Sequence, residues 1–233
     1  MGQDPADPAN TGAAAGVGQV YRLRVVLSGI SPMIWRQLDV ARSSTLADLH
    51  DVLQASFGWS GQHLHRFTVR GTQYSVRSDQ GFWCDQDARE VSLARFGLRV
   101  RERFTYEYAF FSNLQRWRHD LRIQAIEPAR PRRRYPWCGG GARSAPPEEC
   151  GGALEFLALR AEHSRWQTTT RMAELVHLLV EAATTSPGQT VRSVLGEDAI
   201  AELPQLLYWS QIDTFDRRAV NTALAALSSK EDT

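Results

Sequence analysis

Two histidines and two cysteines in this sequence have side chains of the kind that binds metal ions. His63 and His65 are two positions apart, so within a strand both imidazoles would lie on one face. Cys138 and Cys150 flank a glycine- and proline-rich segment, and neither has the closely spaced cysteine partner that is common in zinc sites. Two interpretations follow: a zinc ion held by all four side chains, or free thiols and histidines with structural roles. We expect the second, and therefore no cofactor.

Residues 128–152 are rich in arginine, proline and glycine, and they predict a long irregular segment of the kind that is functional or disordered. An exposed tryptophan beside arginines can stack a nucleic-acid base while the guanidinium groups hold phosphates. The alternative is a solvated basic loop whose tryptophan folds onto the sheet. The candidate nucleic-acid site consists of Arg130, Arg132, Arg133, Arg134 and Trp137.

Glu148 and Glu149 form a pair of carboxylates next to Cys150. Such pairs can do acid–base or metal chemistry, but negative side chains also stabilise the N-terminus of a following helix, which is the simpler interpretation here. The sequence contains no phosphate-binding glycine motif, no zinc-protease histidine–glutamate motif and no nucleophile elbow. We therefore assign no catalytic residue, and whether the protein is an enzyme stays open, with a non-enzymatic role favoured.

The elements that would position these residues begin with a hairpin and a helix. Apolar residues alternate over residues 21–27, and a second strand-like run covers residues 33–40, so the two predict a β-hairpin. A helix follows, with Ser43, Ser44 or Thr45 as N-cap, Asp48 three positions after Thr45 and Gly58 at its end.

Further patterns predict an α+β fold with a mostly antiparallel sheet and a helical C-terminal part. Strands are expected at residues 64–69, 72–76, 104–110 and 121–126, and helices at residues 153–162, 171–183 and 216–228. Residues 198–207 are expected to be helical or turn-like. We divide the chain into a disordered leader (1–18), an α+β domain (19–162) and a helical extension packed on that domain (163–233).

Composition narrows the function classes. The chain carries 27 basic and 26 acidic residues, a net charge of +1. This balance argues against a histone-like, generally basic protein that coats nucleic acid. Lys230 is the only lysine, a bias that reflects either GC-rich coding or arginine's bidentate binding of phosphate and carboxylate. Three cysteines do not suggest a secreted disulfide framework, and we see neither a signal peptide nor an apolar stretch of roughly 20 residues. We expect a cytoplasmic protein with no membrane partner.

Several runs of sequence together resemble the plasmid pRiA4b ORF-3-like family. They are YRLRVVLSGISPMIWRQLDV (21–40), TLADLHDVLQASFGW (45–59), HLHRFTV (63–69), YEYAF (106–110) and YPWC with PPEECGG (135–152). The resemblance implies an α+β domain with a largely antiparallel sheet, of a kind found in bacteria and on mobile elements. Some members are described as insertion-element passenger proteins or TnpR. A serine recombinase is not indicated, because the N-terminal serines here lie in a predicted turn and a helix cap.

The leading hypothesis is a non-enzymatic binding or adaptor domain linked to mobile-element or nucleic-acid biology. One alternative is a metal-dependent hydrolase or nuclease-like enzyme that uses His63, His65 and nearby acids. Another is a protein–protein interaction module, which an exposed apolar patch in the structure would support. Nucleic acid or another protein is thus the expected partner.

Overall fold

The alternating apolar residues of the first strand lie on an interior strand of a sheet that has eight strands in the described part of the chain. The computed structural model describes residues 18–76, 84–109, 116–186 and 188–228. The strands are β1 (Gln19–Leu27), β2 (Ile34–Ala41), β3 (His65–Val69), β4 (Thr72–Ser75), β5 (Gln86–Asp87), β6 (Arg103–Tyr108), β7 (Trp117–Pro128) and β8 (Trp137–Ala142). They are ordered β5-β4-β3-β6-β7-β1-β2-β8, and all neighbours are antiparallel except β4 and β5. The predicted α+β class with a mostly antiparallel sheet is confirmed.

The predicted hairpin and helix are both present. β1 pairs with β2 from Val20–Ala41 to Leu27–Ile34, and the alternating residues of β1 are buried on one face. Helix α1 (Leu46–Phe57) begins at Thr45, whose side chain and that of Asp48 form a reciprocal capping box. It ends at Gly58, which has a left-handed backbone (φ 70°) that favours glycine. The apolar face of α1 packs on the sheet and closes the main core.

Four further helices follow the sheet: α2 (Ala153–Glu162), α3 (Arg165–Thr185), α4 (Val191–Ser210) and α5 (Arg217–Ser228). Leu224 of α5 is fully buried in the main core, where α5 packs against α1 and β8. Helices α3 and α4 pair over a small separate cluster formed by Leu175, Ala199 and Leu206. None of the helices in the described part of the chain is both long and apolar enough to cross a membrane.

One sequence-based expectation needs correction. Residues 128–152 are not irregular throughout, because they contain β8, an edge strand paired with β2. Gly139, Gly140 and Gly141 disguise this strand, since glycine is depleted in strands and has no side chain to show an alternating pattern. At Gly141 a Cβ atom would lie 2.6 Å from the ring of Phe215, so the close approach of that ring requires glycine. The predicted leader lies outside the described residues, apart from Gly18.

Candidate functional site

A histidine meets two adjacent glutamates, distant from it in the sequence, beside the start of β3. His63 lies just before that strand, and Glu148 and Glu149 lie in the turn that precedes α2. The Nε2 atom of His63 is 2.6 Å from a carboxylate oxygen of Glu149 and 3.9 Å from one of Glu148. The candidate ligand atoms of all three lie within 4.8 Å of one another. We call this group the His63 cluster.

Glu148 is held in place by hydrogen bonds from the loop after α1 and from the strands β6 and β7. Its carboxylate accepts from the Ser60 backbone N–H (2.7 Å), from the Ser60 hydroxyl (2.8 Å) and from the Tyr108 hydroxyl. The indole N–H of Trp117 donates to the Glu148 carbonyl at 3.0 Å. Burial alone would raise the pKa of Glu148, but the hydrogen bonds from Tyr108 and Ser60 outweigh it and lower the pKa below its usual value. The carboxylate is therefore both ionised and oriented.

An open groove lies beside the His63 cluster. It has a volume of about 750 Å³ and runs along α1, where Asp48, Asp51 and Gln54 contribute polar groups. Ser60 lines this groove and also binds Glu148, so the groove and the cluster share a wall.

His65 does not join His63. It is 7% exposed and stacks on His50 with ring centroids 3.6 Å apart. His50 shares a 2.7 Å hydrogen bond with the buried Tyr106 hydroxyl. Burial lowers the pKa of His65 to about 3 and that of His50 to about 4, so both imidazoles are neutral. The same-face argument did not apply, because His63 precedes the strand that begins at His65.

The cysteines lie elsewhere. Cys138 is fully buried on β8, and its backbone N–H and C=O both bond to the side-chain amide of Asn221. Cys150 is half-buried, and burial raises the pKa of both thiols. Among the described residues, the group of histidine, cysteine and acidic side chains close enough to share an ion contains neither cysteine. The structure therefore does not bring together His63, His65, Cys138 and Cys150.

Sequence reasoning noticed Glu148 and Glu149 but interpreted them as a helix cap. Their partner His63 is 86 positions away from Glu149 in the chain, a separation that no local pattern can bridge. A signal existed in the family resemblance, because the runs that carry it include His63, Tyr108, Glu148 and Glu149, which contact one another. Trp59, for example, donates its indole N–H to the Pro146 carbonyl at 2.9 Å.

The candidate nucleic-acid residues, by contrast, do converge. They line one cleft of about 550 Å³ together with Asn221 and Ala225 of α5. The guanidinium carbon of Arg133 lies 5.1 Å above the centre of the Trp137 ring, a cation–π arrangement. We call this the arginine cleft, and its residues are Arg130, Arg132, Arg133, Arg134 and Trp137.

The turn that presents the arginines is well defined. The Arg133 N–H donates to the Arg130 carbonyl at 3.2 Å, and the Arg130 N–H donates to the Tyr135 hydroxyl at 3.0 Å. The Arg130 guanidinium lies 3.9 Å from the Glu127 carboxylate. Within the described ranges, Arg132, Arg133 and Arg134 have no acidic partner, so the cleft carries uncompensated positive charge.

Comparisons with known proteins agree with the fold. A family model described as plasmid pRiA4b ORF-3-like protein matches residues 19–179. The uncharacterized protein y4hQ of Sinorhizobium fredii (strain NBRC 101917 / NGR234) is 32% identical over 139 residues, which are 58% of this chain and 69% of that protein. The crystal structure of MM3350, a protein of unknown function from Methanosarcina mazei Go1, matches with a TM-score of 0.57 and 22% identity. That match covers 87% of this chain and 98% of the other, and it shows a shared fold alone.

Proposed function

This chain belongs to the plasmid pRiA4b ORF-3-like family, and from its own geometry we propose that it is a non-enzymatic domain that binds single-stranded nucleic acid. The observation that supports this proposal is the arginine cleft, in which the basic side chains and Trp137 line one cavity. The link to mobile elements rests on the resemblance and remains a prediction.

Charge supports a polyanionic ligand. Arg132 and Arg134 are exposed, and Arg133 is partly exposed over Trp137. Guanidinium groups bind phosphate oxygens in bidentate fashion, and a net charge of only +1 for the whole chain makes this concentration of positive charge local. The backbone of a nucleic acid therefore finds its complement at the arginine cleft and not over the whole surface.

The aromatic ring favours a single strand over a duplex. A base can stack on a side chain only where it is not already stacked between its neighbours in a double helix. Trp137 and the guanidinium plane of Arg133 form the beginning of such a stack. A cleft of about 550 Å³ has room for one base and its adjoining phosphates.

The test is the binding of a fluorescent single-stranded oligonucleotide, measured by anisotropy over a range of salt concentrations. The triple variant Arg132→Ala/Arg133→Ala/Arg134→Ala should weaken binding and flatten its salt dependence by roughly 0.7 in log–log slope for each phosphate that the protein no longer neutralises. The matched control replaces three exposed arginines outside the cleft, Arg95, Arg99 and Arg122, by alanine and removes the same charge. No binding by the parent protein at low salt, or an equal weakening in the control, contradicts the proposal.

A second candidate is a protein-contact role for the C-terminal helices. Val176 and Val180 lie one turn apart on α3 and are each 57% exposed, and Leu203 and Leu207 are similarly spaced on α4 with 36% and 53% exposure. Exposed apolar groups of this kind often mark protein interfaces. Sedimentation velocity over a range of concentrations tests self-association, which Val176→Glu/Val180→Glu should abolish. A monomer at all concentrations removes self-association from this candidate.

A further inference from the structure

We propose that the His63 cluster is a binding site for one divalent transition-metal ion of the zinc class. The site lies apart from the arginine cleft, and its argument does not depend on nucleic-acid binding. It rests on the donor set, on the distances between donors, on missing positive charge and on the way Glu148 is held.

The donors are an imidazole nitrogen and two carboxylates. Zinc ions take such ligands at about 2.0–2.2 Å, and sites with three protein ligands keep a fourth position for water. Magnesium and calcium ions prefer oxygen ligands throughout, so the His63 nitrogen selects for a transition metal. The chemistry that such an ion supplies, when bound, is the acidification of that water.

The distances fit an ion after a small movement. Tetrahedral ligation at these bond lengths places donor atoms about 3.3 Å apart. The Nε2 atom of His63 is 2.6 Å from Glu149 and 3.9 Å from Glu148, values on either side of that separation. Glu149 has a side chain that is 73% exposed, so it can rotate without disturbing the core. A cavity of about 40 Å³ lined by these side chains, Trp117 and Gly151 leaves room for the ion.

The charge around the two glutamates is a separate observation. Several other partly buried acidic side chains of the chain have arginine partners: Glu107 pairs with Arg66 and Arg116, and Glu202 pairs with Arg171. Over the parts of the chain that the structure describes, Glu148 and Glu149 have no arginine or lysine partner, and His63 is the only basic side chain within 4.0 Å of either. Two adjacent carboxylates with so little compensation form a place where a bound cation is stabilised.

The hydrogen bonds to Glu148 resemble those that orient a metal-binding carboxylate. Ser60 and Tyr108 both donate to Glu148 and orient it toward His63. Partners of this kind fix the direction of a ligating carboxylate and raise the affinity of a metal site. They come from the residues after α1 and from the end of β6, so folding prepares Glu148 before any ion arrives.

The test uses the full chain, stripped of metal with a chelator and titrated with Zn²⁺ against a chromophoric competitor. The parent protein should bind one equivalent. Glu149→Gln and His63→Gln should each weaken binding by more than about tenfold, because removing a ligand has a larger effect than removing a supporting hydrogen bond. Far-UV circular dichroism and melting of the metal-free variants check the fold, and Glu149→Gln is the decisive variant because that side chain is exposed.

Two control variants separate this site from other sources of zinc binding. Glu155→Gln removes an exposed carboxylate in the first turn of α2 and should bind zinc as the parent protein does. Cys150→Ser should also retain binding, and the X-ray absorption spectrum should show nitrogen and oxygen neighbours only. The proposal is overturned if the parent protein binds no zinc, if Glu149→Gln binds it unchanged, or if Cys150→Ser loses it or sulfur appears in the spectrum.

Discussion

His119 on β7 is a titratable residue that lies fully inside the core. Its side chain is fully buried, with Phe57 4.7 Å and Trp59 5.4 Å away between ring centroids. Neither ring nitrogen makes a hydrogen bond of normal geometry within the described residues. Burial, with a further contribution from the Arg36 charge, lowers the pKa of His119 to about 3. The imidazole therefore behaves as an apolar ring.

This pKa predicts a loss of stability in acid. The unfolded chain takes up a proton on His119 below its ordinary value of 6.5, whereas the folded chain does so only near 3. Stability is therefore complete above pH 6.5 and falls as the pH drops from 6.5 toward 3, by about 2 kcal/mol at pH 5 from this residue. Urea unfolding at pH 7 and pH 5 measures the difference, and His119→Leu should reduce it by that amount. His177→Leu, which replaces an exposed histidine on α3, should not. An unchanged pH dependence in His119→Leu contradicts this assignment.

Residues of a candidate site could be grouped from the sequence only where they lie close together in the chain. The five residues of the arginine cleft lie within eight positions, so the sequence is enough to group them. His63 and Glu149 lie 86 positions apart, and nothing in their local patterns connects them. The prediction that His63 and His65 lie on one face was wrong, because it holds only inside a strand and His63 lies outside β3.

At the edge of the sheet, a side chain from α5 forms hydrogen bonds with the backbone of β8. β8 is the edge strand next to β2, and its outer side has no further strand in the described sheet. There the Asn221 side chain of α5 accepts from the Cys138 N–H at 2.8 Å and donates to the Cys138 carbonyl at 3.0 Å. One amide side chain thus imitates an adjacent strand, satisfies buried backbone groups and covers an edge.

Loss of this pairing should destabilise the fold. Asn221→Leu keeps a similar volume but leaves the Cys138 N–H and C=O without partners, which should lower the free energy of unfolding by roughly 1–3 kcal/mol. Equilibrium urea unfolding measures it. Thr222→Val is the control, because Thr222 is exposed and its hydroxyl bonds only within its own helix. Equal stability of the two variants contradicts a role for Asn221 at the sheet edge.

A buried cation on β2 connects α1, β8 and the loop that precedes α5. Arg36 on β2 is 2% exposed and donates to the carbonyls of Ser56 at the end of α1 and of Ala142 at the end of β8. Its guanidinium also lies over the Phe215 ring at 4.4 Å. Burial lowers the pKa of Arg36 to about 10, which leaves it charged at neutral pH. Carbonyl oxygens and aromatic faces thus stabilise this charge in place of a carboxylate.

At the scale of the whole molecule, stability is unevenly distributed. The main core extends from the sheet and α1 to Phe156, Trp209 and Leu224 of the C-terminal helices. The contact between α3 and α4 buries only Leu175, Ala199 and Leu206 in its own cluster. A segment with so little buried apolar surface opens more readily than the rest of a domain.

Hydrogen exchange measured by mass spectrometry should show this difference. We expect the amides of α3 and of the first half of α4 to exchange well before those of β1 and β7, because the central strands open only on global unfolding. Trp209, at the end of α4, belongs to the main core, so protection should rise toward that end. Equal protection of α3 and the central strands contradicts the prediction.

The sequence by itself determined the fold class, the β-hairpin and α1 with Gly58 at its end, and it grouped the four arginines with Trp137. Each depends on a period of two or four residues or on neighbours within a few positions, and such information is local. Only the tertiary structure decided that three consecutive glycines lie within β8, that His65 stacks on His50, and that His63 meets Glu148 and Glu149. These features depend on the order of strands in the sheet, because a sheet joins segments that are far apart in the chain and no local pattern records that order.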